Sequence, residues 1–306
     1  MAALLSLASL AALGQAGAGF ALDGARLKRA ANGVLALMQY SLTPDVTTSS
    51  LSIDSGTSGN PGYSVTQFGG GFTISKRVPL YLEGIAAYSR FDPTCIASDG
   101  TEQREAPLRW NSANATGGIG WDSNIARDLV LRPIVSFSLW RVASDVAVLA
   151  RLIEWKSEQG LAFIDGGELK TRGLGGSLML DYELVRPDYE IDLEARYNDI
   201  QLRSFGSAEL VEGNCNARNL NVWARWRAPP GLVVMERPLR YVLESTFSNY
   251  FTSIDALGFE RLLSLGVGLE FDSSKYHIIV TRSRLMAHAV RGGNVQGYSF
   301  GFAVSF

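Results

Sequence analysis

A two-residue hydrophobic period recurs in segment after segment, from about residue 41 to the C-terminus, and limits this chain to very few folds. Successive side chains of a strand point to opposite faces, so a period of two marks a β-strand with one apolar and one polar side. In 189–198, Tyr189, Ile191, Leu193, Ala195 and Tyr197 share one face, opposite Glu190, Asp192, Glu194, Arg196 and Asn198. In 261–272, Leu263, Leu265, Val267, Leu269 and Phe271 oppose Ser264, Gly266, Gly268, Glu270 and Asp272. The same pattern sets Leu174, Leu178, Leu180, Tyr182 and Leu184 against Gly173, Gly175, Ser177, Asp181 and Glu183. It also sets Leu220, Val222, Ala224 and Trp226 against Asn219, Asn221, Arg225 and Arg227. Alternation alone fits a soluble sandwich too. Length separates the two, because many of these segments run ten to fourteen residues. A strand in a globular protein is typically about 5–6 residues long, whereas a tilted strand crossing a bilayer needs about 9–11.

Twelve such segments are predicted, at about 45–54, 64–75, 80–90, 110–122, 128–141, 170–184, 188–201, 218–228, 239–250, 261–272, 275–286 and 295–306. Connections after odd-numbered segments, the last of them at 287–294, are mostly long, polar or glycine-rich. Those after even-numbered segments are mostly short turns, such as Lys76-Arg77-Val78-Pro79 and Asp272-Ser273-Ser274. Outer-membrane barrels sort their loops in this way, with short periplasmic turns, long outer loops and even strand numbers. Aromatics such as Tyr182, Tyr189, Tyr197, Trp226, Phe271 and Tyr276 near the segment ends suit the interfacial girdles of such barrels. Beyond the first 22 residues no uninterrupted apolar run of 18 occurs, which excludes a helical membrane protein. A net charge of −2 gives no reason to expect a nucleic-acid partner. The expected fold is therefore an all-β, twelve-stranded antiparallel transmembrane barrel.

Residues 1–21 read as a signal peptide, uncharged and ending in small residues, and 41–306 as the barrel. Between them, 22–40 carries Arg26, Lys28 and Arg29 and has helical spacing at Leu27, Ala30, Ala31 and Val34. The last strand alternates Tyr298, Phe300, Phe302, Val304 and Phe306 with Ser299, Gly301, Ala303 and Ser305. Ser299, Gly301, Val304 and Phe306 resemble the terminal assembly signal of outer-membrane proteins. That resemblance implies recognition by the barrel-assembly machinery. A short helix followed by twelve strands resembles the translocator domain of autotransporters, here in the form of a solitary barrel without a passenger. The resemblance implies location in the outer membrane of a Gram-negative bacterium, in contact with lipid and lipopolysaccharide.

If the apolar faces meet lipid, the polar faces of segments 6–9 line the lumen. They bring together Asp181, Glu183, Glu190, Asp192, Glu194, Arg196, Arg225, Arg227, Arg240 and Glu244, which can pair across strands. In a narrow barrel the helix at 22–40 could fill the lumen as a plug, with Arg26, Lys28 and Arg29 near Glu190, Asp192 and Glu194. Arg282 and Arg284 share parity with Tyr276, Ile278 and Val280, so they expect either a bulge or a place among outer headgroups near lipopolysaccharide phosphates. Cys95 and Cys215 fall in expected outer loops, where export allows a disulfide but does not require one. No metal-ligand spacing is present and no cofactor is expected. Glycine groups such as Gly69-Gly70-Gly71 lack the Lys-Ser/Thr of a phosphate loop and suit close approach inside strands. Only His277 and His288 could serve as a catalytic base; His277 follows a turn and His288 opens an outer loop, so an enzyme is not expected. The expected role is structural or pore-like. Alternatives are a phospholipase-like barrel hydrolase, whose activity His277 or His288 substitution would abolish, and a soluble secreted β-sandwich binding protein.

Overall fold

The computed structural model describes residues 46–53, 62–92, 94–98, 103–107, 110–144, 168–204, 214–229, 233–234, 237–251, 259–272 and 282–305. Twelve strands form the wall: β1 (Val46–Ile53), β2 (Gly62–Thr73), β3 (Leu80–Asp92), β4 (Trp110–Trp121), β5 (Leu129–Ser144) and β6 (Glu168–Val185), then β7 (Glu190–Ser204), β8 (Asn214–Ala228), β9 (Arg237–Tyr250), β10 (Arg261–Asp272), β11 (Arg282–Gly292) and β12 (Val295–Ser305). Each pairs antiparallel with its neighbour in sequence, and β1 pairs with β12. The ring of pairings therefore closes. Small additions decorate it: a hairpin of Thr94–Ser98 with Gln103–Pro107, Ser123–Ala126 beside β5, and Val233–Val234 beside β9. Asp128 takes a positive φ of 61° in the tight turn that leads into β5, a conformation Asp tolerates better than most residues.

The outward faces are apolar and open. Leu193, Leu265, Val267, Leu269, Leu285, Tyr298, Phe300 and Phe302 are all exposed around the wall. An apolar belt of this extent is not the surface of a monomeric soluble protein. A sandwich would have buried one such face against a second sheet, so the closed ring excludes that alternative. Inside, the two ends differ. Tyr63, Val65, Ala87, Tyr250, Phe259, Leu262, Val290 and Val295 pack together at the end that bears the long connections. Buried charge gathers toward the end with the short turns, at Glu83, Arg132, Glu190, Arg196, Arg227, Glu270 and Arg284.

The eleventh strand corrects the sequence reading. β11 begins at Arg282 and runs to Gly292, and a two-residue turn, Gly293-Asn294, replaces the long outer connection expected at 287–294. The expected run at 275–281, with His277, lies outside the described residues. Leu285 points outward and Arg284 inward, so Arg282 and Arg284 sit at the short-turn end facing the lumen, far from outer headgroups. The physical reason is charge: each finds carboxylates inside, whereas a lipid-facing Arg costs about 2–4 kcal/mol at mid-bilayer. His288, expected to open a loop, is instead an inward residue of mid-β11. Cys215 stands in the first turns of pairing of β8, opposite Leu202, rather than in a loop, and Cys95 is in the outer hairpin. Both cysteine side chains lie outside the described residues, as do the helix expected at 22–40, the expected signal peptide, the side chain of Val304 and all of Phe306.

Candidate functional site

The candidate site is the lumen, and two ion pairs that cross it define its shape. Arg196 on β7 donates two hydrogen bonds to Glu83 on β3, Nη1 to Oε2 at 2.8 Å and Nη2 to Oε1 at 2.7 Å. The guanidinium also donates to Asn198 Oδ1 at 2.8 Å and to Ser177 Oγ at 3.1 Å. Both charged side chains are almost fully buried, at 4% and 2% exposure. Glu83 leans over Gly118 of β4, where any side chain would collide with its carboxylate. Farther toward the short-turn end, Glu190 on β7 accepts from Arg282 on β11 at 2.9 Å. β3, β7 and β11 lie four strands apart around the ring. These pairs are therefore struts between distant parts of the wall, with β7 as their common post.

Around Glu190 a denser network forms. Arg240 donates to Glu190 Oε1 at 2.7 Å and lies 3.6 Å from Asp272. Arg227 donates to Asp192 and stands 3.4 Å from Glu270. Arg284 lies 3.7 Å from the same Glu270, whose side chain is 1% exposed. A third group on the β4–β6 side joins Arg132 to Asp122 and, at 3.5 Å, to Asp181, with the guanidinium 4.0 Å above the Tyr81 ring. Charges taken out of water need partners, and here carboxylates and guanidinia interleave on neighbouring strands.

One rung of the wall carries a different grouping. His288 on β11 places Nε2 3.1 Å from Glu244 Oε1 on β9 and Nδ1 3.3 Å from Ser299 Oγ on β12. Arg225 Nε donates to the other oxygen of Glu244 at 2.7 Å. Between β9 and β11 stands Gly266 of β10, opposite both Glu244 and His288 in register. A Cβ on Gly266 would fall on the imidazole, so the bare backbone is what lets the ring reach across a strand.

Of the residues expected to line the lumen, Asp181, Glu190, Asp192, Arg196, Arg225, Arg227, Arg240 and Glu244 all join these ion pairs. Glu194 faces inward on β7, with a buried Oε1 that has no hydrogen-bond partner among the described residues. Glu183 stands exposed at the mouth and joins no ion pair among the described residues. Ser299 and Gly301 of the terminal signal both face inward, buried. Arg26, Lys28 and Arg29 lie outside the described residues. Glu190 and Asp192, expected to receive them, are already met by arginines of the wall. Sequence reasoning missed Glu83, Arg132, Asp122, Glu270, Arg282, Arg284 and His288 as members of the lumen. Glu83 was hidden because its inward neighbours Tyr81, Ile85 and Ala87 are apolar. Glu270 and Asp272 were on the polar face, with nothing in the pattern to name their partners.

A closed ring of long strands, apolar outside and charged within, belongs to the outer-membrane class of β-barrels. Within that class, the chain has the fold of the transport unit of the autotransporter AIDA-I from Escherichia coli. The two share a TM-score of 0.51 at 13% identity, over 91% of this chain and 98% of that one. Also similar are the β domain of the Bordetella autotransporter BrkA (TM-score 0.49, 14% identity, 85% of this chain and 97% of that one) and the translocator domain of NalP from Neisseria meningitidis (0.47, 8%, 85% of each). At these identities the likeness is one of fold. No family model and no curated protein matches the chain.

Proposed function

We propose that the protein is an outer-membrane barrel of a Gram-negative bacterium that acts as a braced conduit of low conductance, autotransporter-like in fold and pore-like in role. The observation that carries this reading is the bidentate Arg196–Glu83 strut, which ties walls four strands apart with both charges buried. A wide aqueous pore leaves such side chains hydrated and free to follow the wall. Here they bind each other across the interior. The exposed apolar belt supports a lipid environment, and the turn pattern supports a periplasmic position for both barrel ends.

The segment 22–40 supplies a further closure in this reading. Since Glu190 and Asp192 are held by Arg227, Arg240 and Arg282, Arg26, Lys28 and Arg29 would seat beside a neutralised wall, with Glu194 Oε1 a buried carboxylate oxygen that lacks a hydrogen-bond partner among the described residues. Planar-bilayer recording tests the proposal. The full chain should give small unitary currents, raised by deletion of 22–40 and raised further when Glu83→Gln and Arg196→Gln are added. A full-length barrel that conducts freely, unchanged by either alteration, would refute it.

A further inference from the structure

Ser299, His288 and Glu244 lie along one rung of the lumen wall, and we propose that they form a nucleophilic serine site acting on apolar carboxylic esters. Register fixes the rung: Arg225, Glu244, Gly266, His288 and Ser299 are successive cross-strand partners from β8 to β12. Glu244 and His288 are therefore two strands apart. They meet because Gly266 leaves the space that the ring crosses. All three side chains are buried, with Glu244 and His288 at 8% and 7% exposure.

The proton positions follow from the contacts. Glu244 is held at both oxygens, one by Arg225 Nε at 2.7 Å and one by His288 Nε2 at 3.1 Å. A carboxylate at Nε2 makes that nitrogen the N–H donor. Nδ1 then keeps its lone pair, 3.3 Å from Ser299 Oγ, and accepts the hydroxyl proton. Acid, imidazole and hydroxyl stand in the order that activates a serine, and the order is recognised by geometry rather than by which ring nitrogen serves. Attack bonds Oγ to the ester carbonyl carbon as the proton passes to Nδ1. The ester C–O bond then breaks, and the alcohol leaves with that proton. Water repeats the sequence on the acyl-serine, releasing the carboxylic acid and restoring the hydroxyl. The surroundings select the acyl group: Leu262, Val290 and Val295 pack with Tyr63 and Val65 on the long-connection side of the rung. Those apolar side chains suit hydrocarbon and offer little to a charged substrate.

The test uses the full chain, purified and assembled, treated with diisopropyl fluorophosphate and read by intact mass. The wild type should acquire one phosphoryl group, with Ser299 Oγ bonding to phosphorus as fluoride leaves. Ser299→Ala should acquire none. His288→Gln, which keeps the nucleophile, should label about 100-fold more slowly, the usual scale for a lost general base. Glu244 and Gly266 are positioning residues. Glu244→Gln should slow labelling, because the carboxylate that fixes the imidazole tautomer and orientation is gone. Hydrolysis of p-nitrophenyl butyrate should follow the same ranking. Heat-modifiable migration identifies the assembled fraction of each variant, so lost assembly is not read as lost reactivity. An assembled wild type that takes up no phosphoryl group, labelling that persists in Ser299→Ala, or a wild-type rate in His288→Gln would each overturn the proposal.

Discussion

Glu83→Gln should destabilise the assembled barrel by about 3 kcal/mol, toward the lower end of the ~3–5 kcal/mol for breaking a buried pair from one side. The structure sets that position. The guanidinium of Arg196 is 4% exposed, so neither water nor salt can replace the lost carboxylate. It keeps two hydrogen bonds, to Asn198 and Ser177, which limits the loss. Arg196→Met should cost more, since it strands the Glu83 carboxylate at 2% exposure. The double variant removes both charges and should return close to wild type, as apolar or neutral replacements of buried pairs often do. The resulting coupling energy should be about 6 kcal/mol or more, over ten-thousandfold in the folding equilibrium. Urea titration of the barrel in lipid vesicles, followed by tryptophan emission and by heat-modifiable migration, measures all four corners. A coupling energy under about 0.5 kcal/mol, the scale of an exposed pair, would show that the strut is not formed and would remove the basis for a braced lumen.

Other perturbations reach other parts of the molecule. Cell fractionation should recover the protein in the outer membrane, with gel migration that changes on boiling; recovery in the soluble periplasm would end the barrel reading. Replacing Phe306 by a polar residue should lower the assembled fraction, seen as a smaller heat-modifiable band under high expression, if the terminal strand engages the assembly machinery. Gly266→Ala places a methyl group on the His288 ring and should cost about 1–3 kcal/mol by overpacking, measured by the same urea titration; a neutral result would mean that the ring does not cross β10.

Most of the wall was legible because each strand separates lipid from lumen, and that separation writes a period of two into the chain. In β7, for example, Leu193 faces out while Glu190 and Arg196 are buried inside. β11 escaped because its faces differ little in polarity where they matter. Its inward residues include the buried, apolar Met286 and Val290, and its outward ones include Ala287 and Ala289. His288 therefore looked like a loop residue. The struts were illegible for a separate reason: periodicity assigns a side chain to a face, not to a partner. Arg196 and Glu83 are 113 positions apart on strands that never touch. Only closure of the ring brings them together.

Closure also gives the Glu190 network a role as a proofreader of assembly. β7 presents the carboxylates Glu190 and Asp192, β8 answers with Arg225 and Arg227, β9 with Arg240, β10 with Glu270 and Asp272, and β11 with Arg282 and Arg284. Each strand thus completes the charge left open by its neighbours, and the tie from β7 to β11 needs the eleventh strand in place. A one-residue slip of β11 would turn every side chain to the other face. Arg282 and Arg284 would then point to lipid, at up to about 2–4 kcal/mol apiece, while Glu190 and Glu270 lost guanidinium partners inside. Misregistered barrels are penalised on both sides of the wall by the same two residues.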